Sequence, residues 1–407
     1  MRRRDFLISS SAGGFAVATI TNLTNADPVA AAPKPVSGTA AFEGHVKNLI
    51  AKERIPGASA AIVRDGRVLY AHAFGYADLA RKRPARIGNR FRIASSTKPI
   101  TAIGIMQLVE SGKLRLADRA FDVLSDFTPP KGRTEDPRLR TITVQQLLLH
   151  VGGFDSSKGD IQFEGLRLAA DAFGRPRPAK PRDLIEYMMG QPLAFSPGAR
   201  YQYSNLGYNM LGRIIEEVSS SSYEQYVAEH ILAPAGASGM YIGKTRPSQI
   251  PPDEVEYWDD PQAVPSYSVY QDDDVVRPYA YGGFAMEAID SHGGHVATAT
   301  ELARVIDAVP RLLKPETLEQ MLARPDLPFY KGQPRYYAFG VTVGGSIAYG
   351  HNGALTWGAA STVNKLRNGL TFAIVFNRLP FDIAGFLPQM QEASATILAA
   401  AHPEMES

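Results

Sequence analysis

Strand and helix signals in this 407-residue chain are not interleaved: strand patterns sit at its two ends and helical patterns fill the middle. Near the start, Ala58 to Val63 and Val68 to Tyr76 read as strands. Asp65-Gly66 between them is a hairpin signal, because a tight two-residue turn needs residues that tolerate positive φ. Near the end, Phe339 to Val343, Ser346 to Gly350, Ala360 to Lys365 and Leu370 to Phe376 read as further strands. An isolated hairpin is barely stable in water, so the two groups have to meet in one antiparallel sheet. The long middle must leave that sheet and return to it. The pattern predicts an α/β (α+β) chain, with an antiparallel β-sheet flanked by helices and an all-helical lobe beside it. The sheet lobe is expected over about 41–98 and 285–402, and the helical lobe over about 99–284. A cleft between lobes is a natural ligand site.

Helical periodicity places Phe42, Val46, Leu49 and Ile50 on one face of Phe42 to Arg54. Pro99 to Ser111 is an apolar helix stopped by Gly112, and Ile383 to Ala400 closes the chain. Shorter helices are expected at Val144 to Leu149, Leu184 to Met189, Gly207 to Glu217, Tyr223 to Ile231, Thr300 to Val309 and Pro315 to Leu322. Residues 155–182 read as loop. Residues 246–283, rich in Pro, Asp and Tyr, form an insertion too long for a plain connector. Its aromatics Tyr257, Trp258, Tyr267 and Tyr270 are expected to line the cleft rim and select substrates. The alternative is a structural loop packed on the helical lobe.

The chain has no cysteine, which removes disulfides, a catalytic thiol and thiolate metal sites. Its 43 basic and 41 acidic side chains leave a formal charge of +2, too balanced for a nucleic-acid footprint. The first residues differ from the rest. Arg3-Arg4-Asp5-Phe6-Leu7, the mild apolar stretch Ile8 to Ile20 and Ala30-Ala31-Ala32 together resemble a twin-arginine export signal over residues 1–32. Residues 33–407 would then act in the periplasm or outside a bacterial cell. No later run of apolar residues is long enough to cross a membrane, so no stable insertion is expected after signal removal.

Three segments carry chemistry. The first is Ser95-Ser96-Thr97-Lys98 at the start of an apolar helix. A serine there meets the partial positive charge of the helix and its free N–H groups, which can hold an oxyanion. Lys98 follows on the same face, within reach of the Ser95 hydroxyl. A serine that merely caps the helix is the bland alternative. The second segment is Tyr203-Ser204-Asn205, on a turn before an amphipathic helix. A tyrosine beside a lysine ammonium can have a lowered pKa and act as general base, and Asn205 can bond Lys98 and a substrate carbonyl. The third is His351-Asn352-Gly353-Ala354, between strand-like stretches. Gly353 would let a substrate backbone approach, the Ala354 amide could supply an oxyanion donor, and His351 could polarise Tyr203 or meet a substrate carboxylate.

In this order, S-x-x-K, Y-x-N and H-x-G resemble the serine β-lactamase and penicillin-binding-protein superfamily. The nearest branch holds class C β-lactamases, DD-peptidases, D-aminopeptidases and family VIII esterases. Leu147-Leu148-Leu149-His150, Pro197-Gly198 and Gly293-Gly294-His295-Val296-Ala297-Thr298 are similar to further segments of it. The resemblance covers about residues 42–400. It implies a β-lactamase/transpeptidase-like fold and acyl transfer through Ser95, with Lys98 and Tyr203 sharing the proton work. Asn205 would position the substrate, and the Ser95 and Ala354 amides would form the oxyanion hole. It implies no metal and no cofactor, and a small-molecule or peptide substrate. The third box departs from the Lys-Thr-Gly usual in class C β-lactamases, and Gly152 stands where serine is common. The departure favours a hydrolase of small esters, D-amino-acid amides or peptides over a β-lactamase or DD-carboxypeptidase. A non-catalytic penicillin- or peptidoglycan-sensing module and an acyltransferase complete the alternatives. Oligomeric state cannot be read from these residues.

Three other patterns carry less. Gly57-Ala58-Ser59-Ala60-Ala61 falls in a hairpin and not on a strand-to-helix elbow. His292-x-x-His295 lacks a nearby third metal ligand, and Asp272-Asp273-Asp274 lacks the calcium-loop pattern.

Overall fold

The computed structural model describes residues 39–399 apart from 260–265, 274 and 357, so the export-signal stretch 1–32 lies outside the described residues. Asp65 and Gly66 take φ of 50° and 78°, and the turn they make folds β1 (Gly57–Arg64) onto β2 (Arg67–Asp78). Two short strands follow, β3 (Arg83–Pro84) and β4 (Phe91–Arg92), and then a long excursion begins. It contains β5 (Tyr241–Ile242), β6 (Ser266–Tyr267), β7 (Val276–Arg277) and β8 (His295–Ala297). The chain returns through β9 (Arg335–Tyr337), β10 (Thr342–Gly344), β11 (Ile347–Leu355), β12 (Ala359–Leu366) and β13 (Thr371–Phe376). The main sheet has eight strands in the order β3-β2-β1-β13-β12-β11-β10-β9. Its two halves join where β1 pairs with β13, from Ala58 opposite Phe376 to Val63 opposite Thr371.

Successive strand residues point to opposite faces, and here both faces are covered. Ala58, Ala60, Ile62, Phe372, Ile374 and Phe376 pack under α1 (Thr39–Lys52) and the closing helix Ile383–Ala399, through Phe42, Val46, Phe386 and Met390. Ala61, Val63, Ala373 and Val375 point the other way, into a core shared with α2 (Lys98–Glu110) and the helices Asn205–Ser219 and Ala299–Leu312. This is the expected mixed fold of antiparallel sheet and helix. Among the described residues no helix is long and apolar enough to cross a membrane.

Three expectations need correction. Residues 155–182 are not loop: they fold into a turn of 3-10 helix at Ser156–Lys158 and two short helices, Ile161–Glu164 and Leu166–Ala172. Asp155 and Asp160 start the first two by accepting from the amides of Ser157 and Gln162. Helices this short complete too few turns to leave an apolar period in the sequence. Second, the His351 segment does not lie between strands but inside β11, paired with β12 from His351 opposite Val363 to Ala354 opposite Ala360. Third, the insertion reaches the cleft described below through Tyr279 and not through the four aromatics expected there. Tyr257 is buried and donates to Glu254 at 2.8 Å, Trp258 bonds the main chain of Asn377 at 3.1 Å, and Tyr270 packs under Arg246 at 4.2 Å. Tyr267 is exposed, and none of the four lines the cleft described below. Asp272 and Asp273 are paired with Arg246 and Arg277, which accounts for two of the three carboxylates without a cation.

Candidate active site

Ser95 is held in a strained turn. The turn Ala94–Thr97 leads directly into α2, and Ala94 takes φ of 49°, a left-handed conformation unfavourable for a residue with a Cβ. Contacts from the sheet fix it. The Ser361 hydroxyl of β12 donates to the Ile93 carbonyl at 2.6 Å and lies 2.8 Å from Ser96 Oγ, while the Ile93 amide donates to the His295 carbonyl at 3.0 Å. β11 closes the turn from the other side. A Cβ on Gly353 would stand 2.2 Å from the Ile93 carbonyl and 2.4 Å from Ser361 Oγ. Gly353 therefore lets the strand approach the backbone of the Ser95 turn, and it is buried and does not line the cleft described below. Gly353→Ala is expected to cost about 1–3 kcal/mol and to lower turnover more than its stability loss accounts for, since Ser95 must shift. Urea unfolding beside steady-state kinetics checks this, and a variant with full activity would refute it.

Lys98 opens α2, followed by Pro99, which the first helical turn tolerates. Its side chain is fully buried. The amine lies 3.1 Å from Ser95 Oγ, 2.7 Å from Asn205 Oδ1 and 3.0 Å from the His292 carbonyl. Burial penalises the ammonium and holds the Lys98 pKa well below the ordinary lysine range. A neutral amine has two N–H groups and one lone pair. In that form it can give its two N–H groups to the two carbonyl oxygens and keep the lone pair for the Ser95 hydroxyl.

Tyr203 packs its ring 4.7 Å from the Lys98 amine and 4.3 Å from the His150 ring, and its phenol hydrogen-bonds Ser95. Desolvation drives its pKa up. The sequence-based idea of a tyrosine whose pKa is lowered beside a lysine ammonium runs against the direction of both shifts: burial lowers the Lys98 pKa and raises that of Tyr203. Asn205 is the first residue of its helix, placed by the Ser204 cap.

His351 is buried in β11, 3.1 Å from Tyr337 Oη, with its ring 6.5 Å from Tyr203. Burial pushes its pKa down to about 3, so it is neutral at physiological pH and cannot present a cation. Ser95, Tyr203, Asn205, His351 and Ala354 all line one cleft of about 710 Å³. Lys98 lies beneath its floor.

Sequence reasoning missed Asp160, whose Oδ2 accepts from Asn205 Nδ2 at 2.6 Å. It was hidden in the stretch read as loop, and its only signal is the helix cap itself. It also missed the part His292 plays through its carbonyl. The His292 ring bonds Gln162 Oε1 at 3.0 Å.

Comparison with known proteins fits this geometry. The sequence pattern of the Beta-lactamase family matches residues 42–389. Protein flp of Staphylococcus aureus (strain MW2) is 34% identical over 189 residues, which cover 46% of this chain and 35% of that protein. The match thus spans about a third of that relative's length. The D-amino acid amidase of Ochrobactrum anthropi SV3, solved with L-phenylalanine amide, superposes with a TM-score of 0.68 at 22% identity, covering 88% of this chain and 97% of that one. A D-stereospecific amidohydrolase from Streptomyces sp. superposes with a TM-score of 0.63 at 25% identity, covering 87% and 98%. Because the family pattern runs through nearly all of the described fold, from α1 to the closing helix, the chain belongs to the Beta-lactamase family.

Proposed function

We propose that the chain is a serine hydrolase that forms an acyl-enzyme at Ser95 with a small ester or with the amide of a D-amino acid or short peptide. One observation carries the reading: a fully buried lysine amine, its pKa held well below the ordinary range by burial, 3.1 Å from a serine hydroxyl. Lys98 takes the hydroxyl proton as Ser95 Oγ bonds to the substrate carbonyl carbon. The oxyanion forms beside the Ser95 and Ala354 amides. Tyr203, a neutral phenol bonded to Ser95, passes a proton to the leaving alcohol or amine as its bond to carbon breaks. Water then attacks the ester at Ser95 by the same path in reverse, and acid and free enzyme result.

The charge of the cleft favours this substrate class. Its described lining includes no lysine or arginine, its histidines His292 and His351 are held neutral, and Asp160 and Glu164 are its acidic members. A β-lactam or a cell-wall peptide presents a free carboxylate and finds no cation there. The names of the amidase and the amidohydrolase that share the fold support the same choice. The intact contacts among Ser95, Lys98 and Tyr203 weigh against a silent sensing module, and transfer to an alcohol or amine would use the same acyl-enzyme. Export by the twin-arginine route, supported by Arg3-Arg4-Asp5-Phe6-Leu7, is part of this proposal.

The test presents the purified protein with a p-nitrophenyl acetate ester, a D-alanyl p-nitroanilide and a chromogenic cephalosporin. The expected result is kcat/KM for the ester or anilide at least about tenfold above that for the cephalosporin. A mass increment on the Ser95 peptide should appear, and be absent from Ser95→Ala. Preference for the cephalosporin would transfer the reading to a β-lactamase.

A further inference from the structure

Both hydrogen bonds that occupy the Lys98 amine are set from one short stretch of chain. Asp160 caps the helix Ile161–Glu164, and its Oδ1 accepts from the Gln162 amide at 3.0 Å. Its Oδ2 accepts from Asn205 Nδ2 at 2.6 Å, which turns Asn205 Oδ1 toward Lys98 at 2.7 Å. Gln162, fully buried, accepts with Oε1 from His292 Nε2 at 3.0 Å and from Asn209 Nδ2 at 3.1 Å. The carbonyl of that same His292 is the second acceptor on Lys98.

We propose that Asp160, seconded by Gln162, is a positioning residue that keeps the Lys98 lone pair aimed at Ser95 by fixing which end of the Asn205 amide faces the amine. The proposal rests on the reading of Lys98 as the base. A carboxylate is needed because both of its oxygens face N–H donors, and the single oxygen of an asparagine can satisfy one of them. If Asn205 turned its amide round, its N–H would take the lone pair and compete with Ser95.

The charge of Asp160 matters as well. Lys98 is faced by the Ser95 hydroxyl, Asn205, the His292 carbonyl and the rings of Tyr203 and Tyr208, with His150 and His351 farther off. These tyrosines and histidines are uncharged at neutral pH. Glu164 acts on Asp160, and Arg213 acts on His292. Among the described residues Asp160 is the charge that bears on the amine, where it favours the ammonium, while burial raises its own pKa against the N–H groups of Asn205 and Gln162. Removing it lowers the Lys98 pKa, so the amine stays neutral to lower pH.

Asp160→Ala and the size-matched Asp160→Asn are compared with the parent by the burst and turnover of p-nitrophenyl acetate across pH, with melting temperatures alongside. The expected result is a fall in kcat of about ten- to a hundredfold with KM changed less than about threefold. The acid limb of kcat/KM should move to lower pH in both variants by about half a unit or more. Unchanged kcat and an unmoved limb would overturn the proposal, as would activity that falls only in step with melting temperature. Lys98→Met in the same assay separates the two failures. If it remains active, or if the parent never acylates, the reading of the base fails too. If it is inactive while the Asp160 variants behave as the parent, only the role of Asp160 falls.

Discussion

Ser95→Ala and Lys98→Met should each lower kcat by at least about a thousandfold on any substrate the parent turns over. Each removes one member of a pair that acts as a unit, so Ser95→Ala/Lys98→Met together should be little worse than either alone. Lys98→Met also has a signature in stability. Burial lowers the pKa of this amine in the folded protein well below the ordinary lysine value of about 10.4 that the unfolded chain keeps. Between the depressed folded pKa and that value the unfolded state binds more protons, so the parent gains stability as pH rises. The variant lacks this dependence. Urea unfolding of both proteins at neutral and alkaline pH should show the parent improving relative to the variant. The opposite trend would mean that Lys98 is an ammonium in the folded protein, and the base reading would fall with it.

The second large effect is on stability alone. Arg92, in β4 three residues before the nucleophile, and Glu254, from the insertion, form an ion pair 3.4 Å apart with both side chains wholly buried. Arg92 also donates to the carbonyls of Ala280 at 2.7 Å and Lys244 at 2.9 Å, and lies 4.3 Å from the centre of the Tyr257 ring. Tyr257 and Tyr241 donate to the two carboxylate oxygens at 2.8 and 3.0 Å. Glu254→Ala leaves a buried guanidinium without its counter-charge and is expected to cost about 3–5 kcal/mol. The paired change Arg92→Met/Glu254→Met should recover much of that, because neither charge is then buried. Chemical unfolding of the single and paired variants decides it. Equal losses in both would show that packing of the insertion, and not the charge pair, holds this corner together.

These two cases show what sequence reasoning could reach. The sheet was readable because β1 and β13 carry apolar runs, Ala60 to Val63 and Phe372 to Phe376, and Asp65-Gly66 favours a hairpin turn. Ser95 and Lys98 could be brought together from sequence because three residues make nearly one helical turn, whereas Tyr203, Asn205 and His351 were singled out by the order of their boxes, which resembles that of the serine β-lactamase and penicillin-binding-protein superfamily. What could not be read depends on contacts across long separations. Asp160 meets Asn205 from 45 residues away, out of helices too short to show a period. Gly353 looked like room for a substrate and is instead room for the Ile93 carbonyl, which only the packing of β11 reveals. The protonation states of Lys98 and Tyr203 follow from burial, which no motif encodes. Tyr257 was taken for a cleft aromatic because nothing in its neighbourhood announces that Arg92, far back in the chain, needs a partner.

The pairing of β1 with β13 has a consequence for how the protein is made. The hairpin β1–β2 emerges from the ribosome early, but the strand that covers its open edge ends at Phe376. At a usual pace of synthesis, on the order of 5–20 residues per second, that edge waits roughly 15–60 s for its neighbour. Through that interval the nascent chain carries an apolar strand with unpaired N–H and C=O groups, a template for joining another chain. Completion of the sheet therefore has to wait for β13, whatever the hairpin has already formed. A chaperone that shields the β1–β2 hairpin until β13 appears is expected to improve the yield of native protein.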